Sequence, residues 1–421
     1  MSQTSVSTAG VLAQGLSRIG YTILIGRFMG KEDLAHVSAL LALALIFSLF
    51  WPAGAGNAAS HFLASSLALG RNPVPVLRVI AQSFWISMLV IVGIGVPVAV
   101  LVLDVPLGDG LAFAALVVAY SGYILSRGIE VGLGRFTRAA LWDFLSAAST
   151  ILVLTVVLVA HATSLLLFPL VIGYSIFSIN TALRGHRGHR ALDPFPSIDI
   201  AMIVRFSFVN SVGLLASNGL IQFSMVWVFA MERPVDAGIF AAAMSLATPA
   251  SMLSQAISQA LIPRFSAWAT VDRQNARGRY LRILAVLTVA FAIVFGAVYA
   301  ISPLIIRIIY GTAFAASASL MQLLLVGVFA FSVGLVANAF LITSGRVLVA
   351  TLISLGGLVS GLIVTLLLSP LEAPGVGAAL GVIVGYIVAA VGLVGWSVAT
   401  RLPAAVATRP GDDAGVTLRS P

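Results

Sequence analysis

Twelve apolar runs, each near the length that crosses a lipid bilayer, follow one another along this chain with scarcely a charge inside them. They fall near residues 8–29, 35–57, 80–103, 110–132, 141–161 and 163–183, and again near 201–229, 237–261, 281–303, 317–341, 348–369 and 376–400. A crossing takes about 20 predominantly apolar residues as a helix, because every backbone N–H and C=O must find its partner within the segment once water is gone. Closed barrels would instead show alternating ten-residue strands, and these runs are continuous. The expected fold is an all-α polytopic membrane protein with twelve transmembrane helices.

Composition narrows the function classes. Apolar residues fill 60% of the 421 positions and charged residues 9%, against about 25% charged in a soluble domain, which excludes a cytosolic enzyme. The net charge of +9 does not mark a nucleic-acid surface, because the 23 basic residues stand singly or in small groups between apolar runs, as orientation signals do. The chain has no Cys, which removes disulfides, thiolate metal sites and thiol catalysis. No Gly-Lys-Ser/Thr phosphate loop is present to bind ATP. His186 and His189 lack an acidic or Cys neighbour that would make them a metal site, so no cofactor is expected. Met1 to Gly10 carries no basic n-region, so the first span is expected in the mature protein.

Orientation follows from the basic residues. With the N-terminus inside, the cytoplasmic connections and tail hold 18 arginines, among them Arg71, Arg78, Arg135, Arg138, Arg205, Arg264 and Arg346, while the outer connections hold four basic residues, Arg27, Lys31, Arg233 and Arg307. That split predicts two cytoplasmic termini. The outer loops are short, and the tail over 402–421 reads as a disordered end.

The two sets of six runs look related. Met29 to Ala44 can be laid on Met231 to Ala247 at an offset near 203; Gly134-Arg135 and Gly345-Arg346 each open a fifth span; Gly173-Tyr174 matches Gly385-Tyr386 in each sixth. The order is the same in both halves, which predicts a parallel repeat of six helices. The expected division is a first lobe over 1–184, a cytoplasmic linker over 185–199 and a second lobe over 200–401.

Arg18 lies about 15 Å from either interface at 1.5 Å per residue, too deep to snorkel easily. A guanidinium near a helix centre costs about 2.5–3.5 kcal/mol to insert, so it is expected to face a bundle interior or a watery cavity. Ser7, Gln14, Arg18 and Tyr21 share one helical face. The seventh span carries a comparable stripe of Ser207, Ser211, Asn218 and Gln222, and the eighth carries Thr248, Ser251, Gln255 and Ser258. Such stripes fit a hydrated cleft between the halves, and they equally serve to hydrogen-bond neighbouring helices. Gly357, Gly361, Gly377, Gly381 and Gly385 mark close helix packing. Arg27 reads as an interfacial anchor, His61 as a structural residue at the outer or re-entrant end of the second span, and Arg205 as a residue of the cytoplasmic mouth that suits an orientation role and a substrate role alike. No Asp or Glu falls near the middle of a span; Glu130 and Asp143 lie toward the cytoplasmic ends within reach of Arg127, Arg135 and Arg138. Arg without a mid-membrane carboxylate suits an anion, since guanidinium binds phosphate bidentately and stays charged.

Ser17-Arg18-Ile19-Gly20, followed by Gly26 through Asp33 (GRFMGKED) and a second span, resembles the first hairpin of the multidrug/oligosaccharidyl-lipid/polysaccharide exporter superfamily, and within it the chain is most similar to polysaccharide-unit flippases of the Wzx type. The block from Pro303 through Tyr310-Gly311 and on to Ser344-Gly345-Arg346 is similar to the second half of those proteins. The resemblance implies a multidrug and toxin extrusion-like fold, two six-helix lobes around a central cleft. It further implies alternating access that moves an undecaprenyl-diphosphate-linked glycan across the bacterial inner membrane. It leaves open a coupling ion, H+ or Na+, and association with a polysaccharide polymerase and glycosyltransferases. The lipid II flippase branch has an Arg in its first helix within a cationic cavity, and Ser17-Arg18 matches that pattern. That branch has fourteen spans and several cavity arginines, so twelve spans and one deep Arg point to a surface-polysaccharide unit. The drug-antiporter branch uses an acidic residue in an early helix, where this chain has Arg18.

The resulting expectation places Arg18, with Arg205, on the diphosphate and Gln14, Tyr21, Asn218, Gln222, Ser251 and Gln255 along the sugar path. Two rivals stand beside it: a cation-coupled multidrug antiporter of the same fold, and a membrane glycosyltransferase or polymerase. The latter needs a general base and a sizeable outer loop, and neither is evident.

Overall fold

The structure, a computed structural model, describes residues 3–185, 199–271 and 273–399. The interior of the expected linker, the tail, His186, His189 and the Ser7 side chain lie outside the described residues. The described residues contain no strand, and their helices group into the twelve expected segments. The first half holds α1 (Gln3–Phe28), α2 (Lys31–Phe50), α3 (Pro52–Ala68), α4 (Val74–Val102), α5 (Leu107–Gly132), α6 (Phe136–Val159) and α7 (Phe168–Gly185). The second holds α8 (Ile200–Met231), α9 (Pro234–Ala247), α10 (Ala250–Val271), α11 (Arg273–Ile309), α12 (Ser317–Thr343), α13 (Val347–Leu368) and α14 (Pro374–Ala399). Eleven segments are long and apolar enough to cross a membrane; α1, interrupted by Gln14 and Arg18, is not among them.

The second and eighth crossings depart from the simple reading. Each apolar run, 35–57 and 237–261, is two helices, and the helical path extends to Ala68 and Val271. Pro52 has no N–H to continue the α2 ladder, and its ring drives the preceding residue out of the helical region: Trp51 sits at φ −140°, ψ −49°. The eighth crossing breaks at Thr248-Pro249. Pro52 and Pro249 stand 197 positions apart, so the repeat aligns here at a different offset from the 203 that the flanking residues give.

Two lobes result. In the first, α1 packs on α6, and α5 on α3 and α7; in the second, α14 packs on α12 and α13, and α12 also on α10 and α11. The lobes meet where α2 and α3 run along α8 and α2 along α9. The turns that open the fifth crossing repeat closely. Gly134 (φ 72°) and Gly345 (φ 77°) adopt the left-handed conformation that ends α5 and α12. In one turn Gly134 N–H donates to Val131 and Arg135 N–H to Glu130; in the other Gly345 N–H donates to Ile342 and Arg346 N–H to Leu341.

Small residues set the spacing of the sixth crossing in both lobes. A Cβ added at Gly173 would stand 2.0 Å from Thr150 Oγ1, and one at Gly381 1.9 Å from Thr365 Oγ1. Gly357 likewise faces the Gly385 carbonyl and Gly361 the Gly381 carbonyl, the close packing that the glycine pattern predicts.

Candidate functional site

A cavity of about 510 Å³ lies between the lobes. Helices α1, α2, α3, α5 and α7 form one wall and α8, α9, α10, α12 and α14 the other. The segments that follow the two proline breaks both reach it, through Asn57 and Ser60 of α3 and Ser251, Gln255 and Gln259 of α10.

We call the end at which α1 begins the inner end. The cavity extends toward it along Val11, Leu12, Val131 and Gln259 and stops on the other side near Thr22, Ser38 and Met225. Beyond that stop the lobes are tied together. Arg27 Nη1 donates to the carbonyls of Ile308 and Ile309 at 3.2 and 3.3 Å, satisfying the C-terminus of α11. Lys31 Nζ lies 5.6 Å from the centre of the Phe314 ring. Gly238 approaches so near that a Cβ on it would stand 2.1 Å from the Lys31 carbonyl. The cavity is therefore shut at the outer end.

Arg18 is on the cavity wall, beside Tyr120 and Tyr174 and near enough to act on both electrostatically. It makes no ion pair among the described residues. Its neighbours Gln14, Ser17 and Tyr21 are tied to the first lobe. Gln14 lines the cavity, but its Nε2 donates to the Asp143 carbonyl at 2.9 Å, and Ser17 Oγ donates to Ala147 O at 3.2 Å. Tyr21, expected on the sugar path, is instead fully buried and donates from its hydroxyl to the Leu166 carbonyl. Two of these bonds hold α1 on α6 and the third ties it to the connection ahead of α7, while Arg18 stays on the cavity wall.

The stripe of α8 divides as well. Asn218 and Gln222 line the cavity, whereas Ser207 and Ser211 are buried against α3, where a Cβ on Gly54 would stand 2.1 Å from Ser207 O. Ser251 and Gln255 line the cavity with Thr248, and Ser258 is buried away from it. Arg205 is exposed and does not reach the wall. It lies in the second turn of α8, more than three turns before Asn218, which explains its distance from Arg18. His61 is exposed on α3 and stacks on Phe206 with ring centres 5.0 Å apart, which puts it at the inner end.

Several wall residues lie outside the polar stripes. Arg127 is on the wall, so the cavity holds two guanidiniums where one deep Arg was expected. Arg127 Nε meets Asp143 Oδ2 at 3.1 Å, and Tyr123 donates to Oδ1 of the same carboxylate at 2.8 Å. Glu130 lies 3.9 Å from Arg135 and 3.7 Å from Arg138, so both carboxylates have the partners that their spacing suggests. Tyr174 and Tyr386 face the cavity from opposite lobes. The matched Gly-Tyr pairs of the two halves are the signal in the sequence that marks them. Among the described residues no group of His, Asp or Glu is arranged to hold a metal. An uncompensated guanidinium in a cavity between two lobes can bind and hold an anion.

The sequence model of a family described as polysaccharide biosynthesis protein matches residues 2–268. No curated protein matches the chain in sequence. Among solved structures, an inward-facing multidrug resistance MATE family transporter of the MOP superfamily is similar, with a TM-score of 0.71, 16% identity and 93% of each chain covered. An outward-facing structure of a MATE family transporter of that superfamily gives 0.66 at 16% identity, covering 94% of this chain and 93% of the other. The lipid II flippase MurJ in an inward closed conformation gives 0.73 at 13% identity, covering 94% of this chain and 87% of that one. At these identities the likeness establishes the fold.

Proposed function

Since the chain belongs to the polysaccharide biosynthesis protein family and carries a guanidinium without a counter-charge in a cavity between two lobes, we propose that it is a flippase for a lipid-diphosphate-linked oligosaccharide. The membrane is the bacterial inner membrane, with both termini cytoplasmic, as the 18 to 4 division of basic residues supports. The likeness in fold to MurJ, a lipid II flippase, agrees with this reading.

Arg18 carries it. A diphosphate cannot enter the bilayer core without losing its hydration, and a charge-assisted pair with guanidinium offsets that loss. The oligosaccharide follows through the polar walls while the lipid tail stays in the bilayer. Arg205, remote from the wall, is left out of the diphosphate site. In the described state the cavity faces the inner leaflet, and the Arg27, Lys31 and Gly238 contacts shut the outer end. Rocking of the lobes would part those contacts and present the same cavity outward. The drug-antiporter reading has less support, because Asp143, the carboxylate beside the cavity, is fully buried and engaged by Arg127 and Tyr123.

The test is transport by purified protein in proteoliposomes holding a lipid-diphosphate-linked disaccharide. Arg18→Ala should lower the rate by about a hundredfold, the scale of a lost charge-assisted contact, and Arg18→Lys should recover part of it. An unchanged rate in Arg18→Ala, together with efflux of a cationic dye, would favour the antiporter.

A further inference from the structure

The two walls of the cavity differ in charge and in hydrogen-bonding character. Both guanidiniums, Arg18 and Arg127, stand on the wall of the first lobe. The second lobe contributes only neutral groups to the described wall, among them the amides of Asn218, Gln222 and Gln255. Their donors are largely turned toward the protein. Asn218 Nδ2 donates to Leu214 O at 3.3 Å and to Ser217 Oγ at 2.9 Å, and Gln255 Nε2 donates to Ser251 Oγ at 3.5 Å. Asn218 thereby uses both of its N–H groups and keeps its oxygen for a ligand, whereas Gln255 keeps one N–H as well as its oxygen. Gln222 Oε1 is buried with no hydrogen-bond partner among the described residues. A buried acceptor without a donor is costly, and a turn of the side chain that brings this oxygen to an O–H or N–H of a ligand would remove that cost.

From this we infer that the second-lobe wall selects the sugars next to the diphosphate, taking neutral sugars rich in hydroxyl or amide donors and rejecting sugars that carry a carboxylate. The inference rests on the flippase reading and deepens it. With the diphosphate on Arg18, and Arg127 already engaged by Asp143, a sugar carboxylate against the other wall would meet neutral amides and hydroxyls and, among the described residues, no cation. An ionised carboxylate donates no hydrogen bond to the wall's free oxygens, and its charge would stand there without a counter-charge.

The experiment compares two lipid-diphosphate-linked disaccharides that differ only at the sugar nearest the diphosphate, glucose in one and glucuronic acid in the other. Proteoliposomes of the wild type should flip the neutral compound about tenfold faster or more, the discrimination expected where polar groups are left unpaired. Gln222→Lys, and separately Asn218→Lys, should lower the ratio of neutral to acidic rates by supplying a cation; a ratio cancels any difference in the amount of folded protein. A wild-type ratio near one overturns the inference while leaving the flippase reading in place. A ratio that both variants leave unchanged also overturns it, by removing these amides as its cause. Transport of neither compound overturns the flippase reading and this inference with it.

Discussion

The two lobes share one frame and differ in charge. Each breaks its second crossing at a proline, ends its fourth on a left-handed glycine followed by Arg, and packs its sixth through a glycine against a threonine of the fifth. Yet among the described residues the two buried carboxylates, Glu130 and Asp143, are both in the first lobe, as are both guanidiniums of the cavity wall. The shared features are steric: they fix where backbones bend and how near they approach, so they serve any repeat of this fold. The charges differ between the lobes: among the described residues only the first lobe places a cation on the cavity wall.

Removing part of the charge network should have the largest effect on stability. Asp143→Ala removes the buried carboxylate that Arg127 and Tyr123 share, and breaking a buried pair costs about 3–5 kcal/mol. Thermal unfolding in detergent should show that loss, and the Arg127→Leu, Asp143→Leu double variant should regain most of it. A single variant as stable as the wild type would mean that the first lobe does not depend on its buried charge.

The steric features should behave alike in both lobes. Gly173→Val and Gly381→Val each force a side chain into a threonine hydroxyl and should each cost about 1–3 kcal/mol in the same assay. Smaller and again equal losses, about 1–2 kcal/mol, are expected for Gly134→Ala and Gly345→Ala. Nothing lies within 4 Å of a Cβ at either site, so only the positive φ opposes the substitution. A large loss in one lobe with tolerance in the other would undo the repeat as a structural unit.

The helical fold and eleven of its expected crossings were legible because backbone satisfaction in lipid leaves a long apolar run little else to become. Arg18 was legible for the same reason, since a guanidinium that deep demands a polar surrounding. The breaks at Trp51-Pro52 and Thr248-Pro249 were harder to see, because apolar residues continue across both and hydropathy does not register a missing N–H. The direction of each polar stripe was harder still. A helical wheel places Tyr21 and Arg18 on one face, but carbonyls of the neighbouring segments, Asp143, Ala147 and Leu166, decide which side chain turns inward and which turns to the cavity. Arg127 was read correctly as a partner of Asp143 and missed as a wall residue, because pairing and exposure to a cavity are independent facts.

The outer ends offer a last and smaller contrast. In the first lobe His36 Nε2 meets Asp109 Oδ2 at 3.1 Å, a side-chain pair. In the second, Glu232 accepts from the backbone N–H of Gly375 at 2.7 Å, while Arg233 is held by Asp236. Burial pushes the Glu232 carboxyl above its usual 4.5, outweighing the Gly375 N–H that favours the charged form. A carboxyl whose pKa is higher in the folded state binds its proton more tightly there. It therefore stabilises the fold below the unfolded value, and that contribution is lost as pH rises through the folded one. Glu232→Gln keeps the oxygen that Gly375 uses and removes the charge. The difference in stability between wild type and variant should thus be small at pH 4 and shift in favour of the variant as pH rises to 7. A difference that stays flat over that range would mean the backbone N–H fully compensates the burial, making the outer ends of the two lobes electrostatically alike.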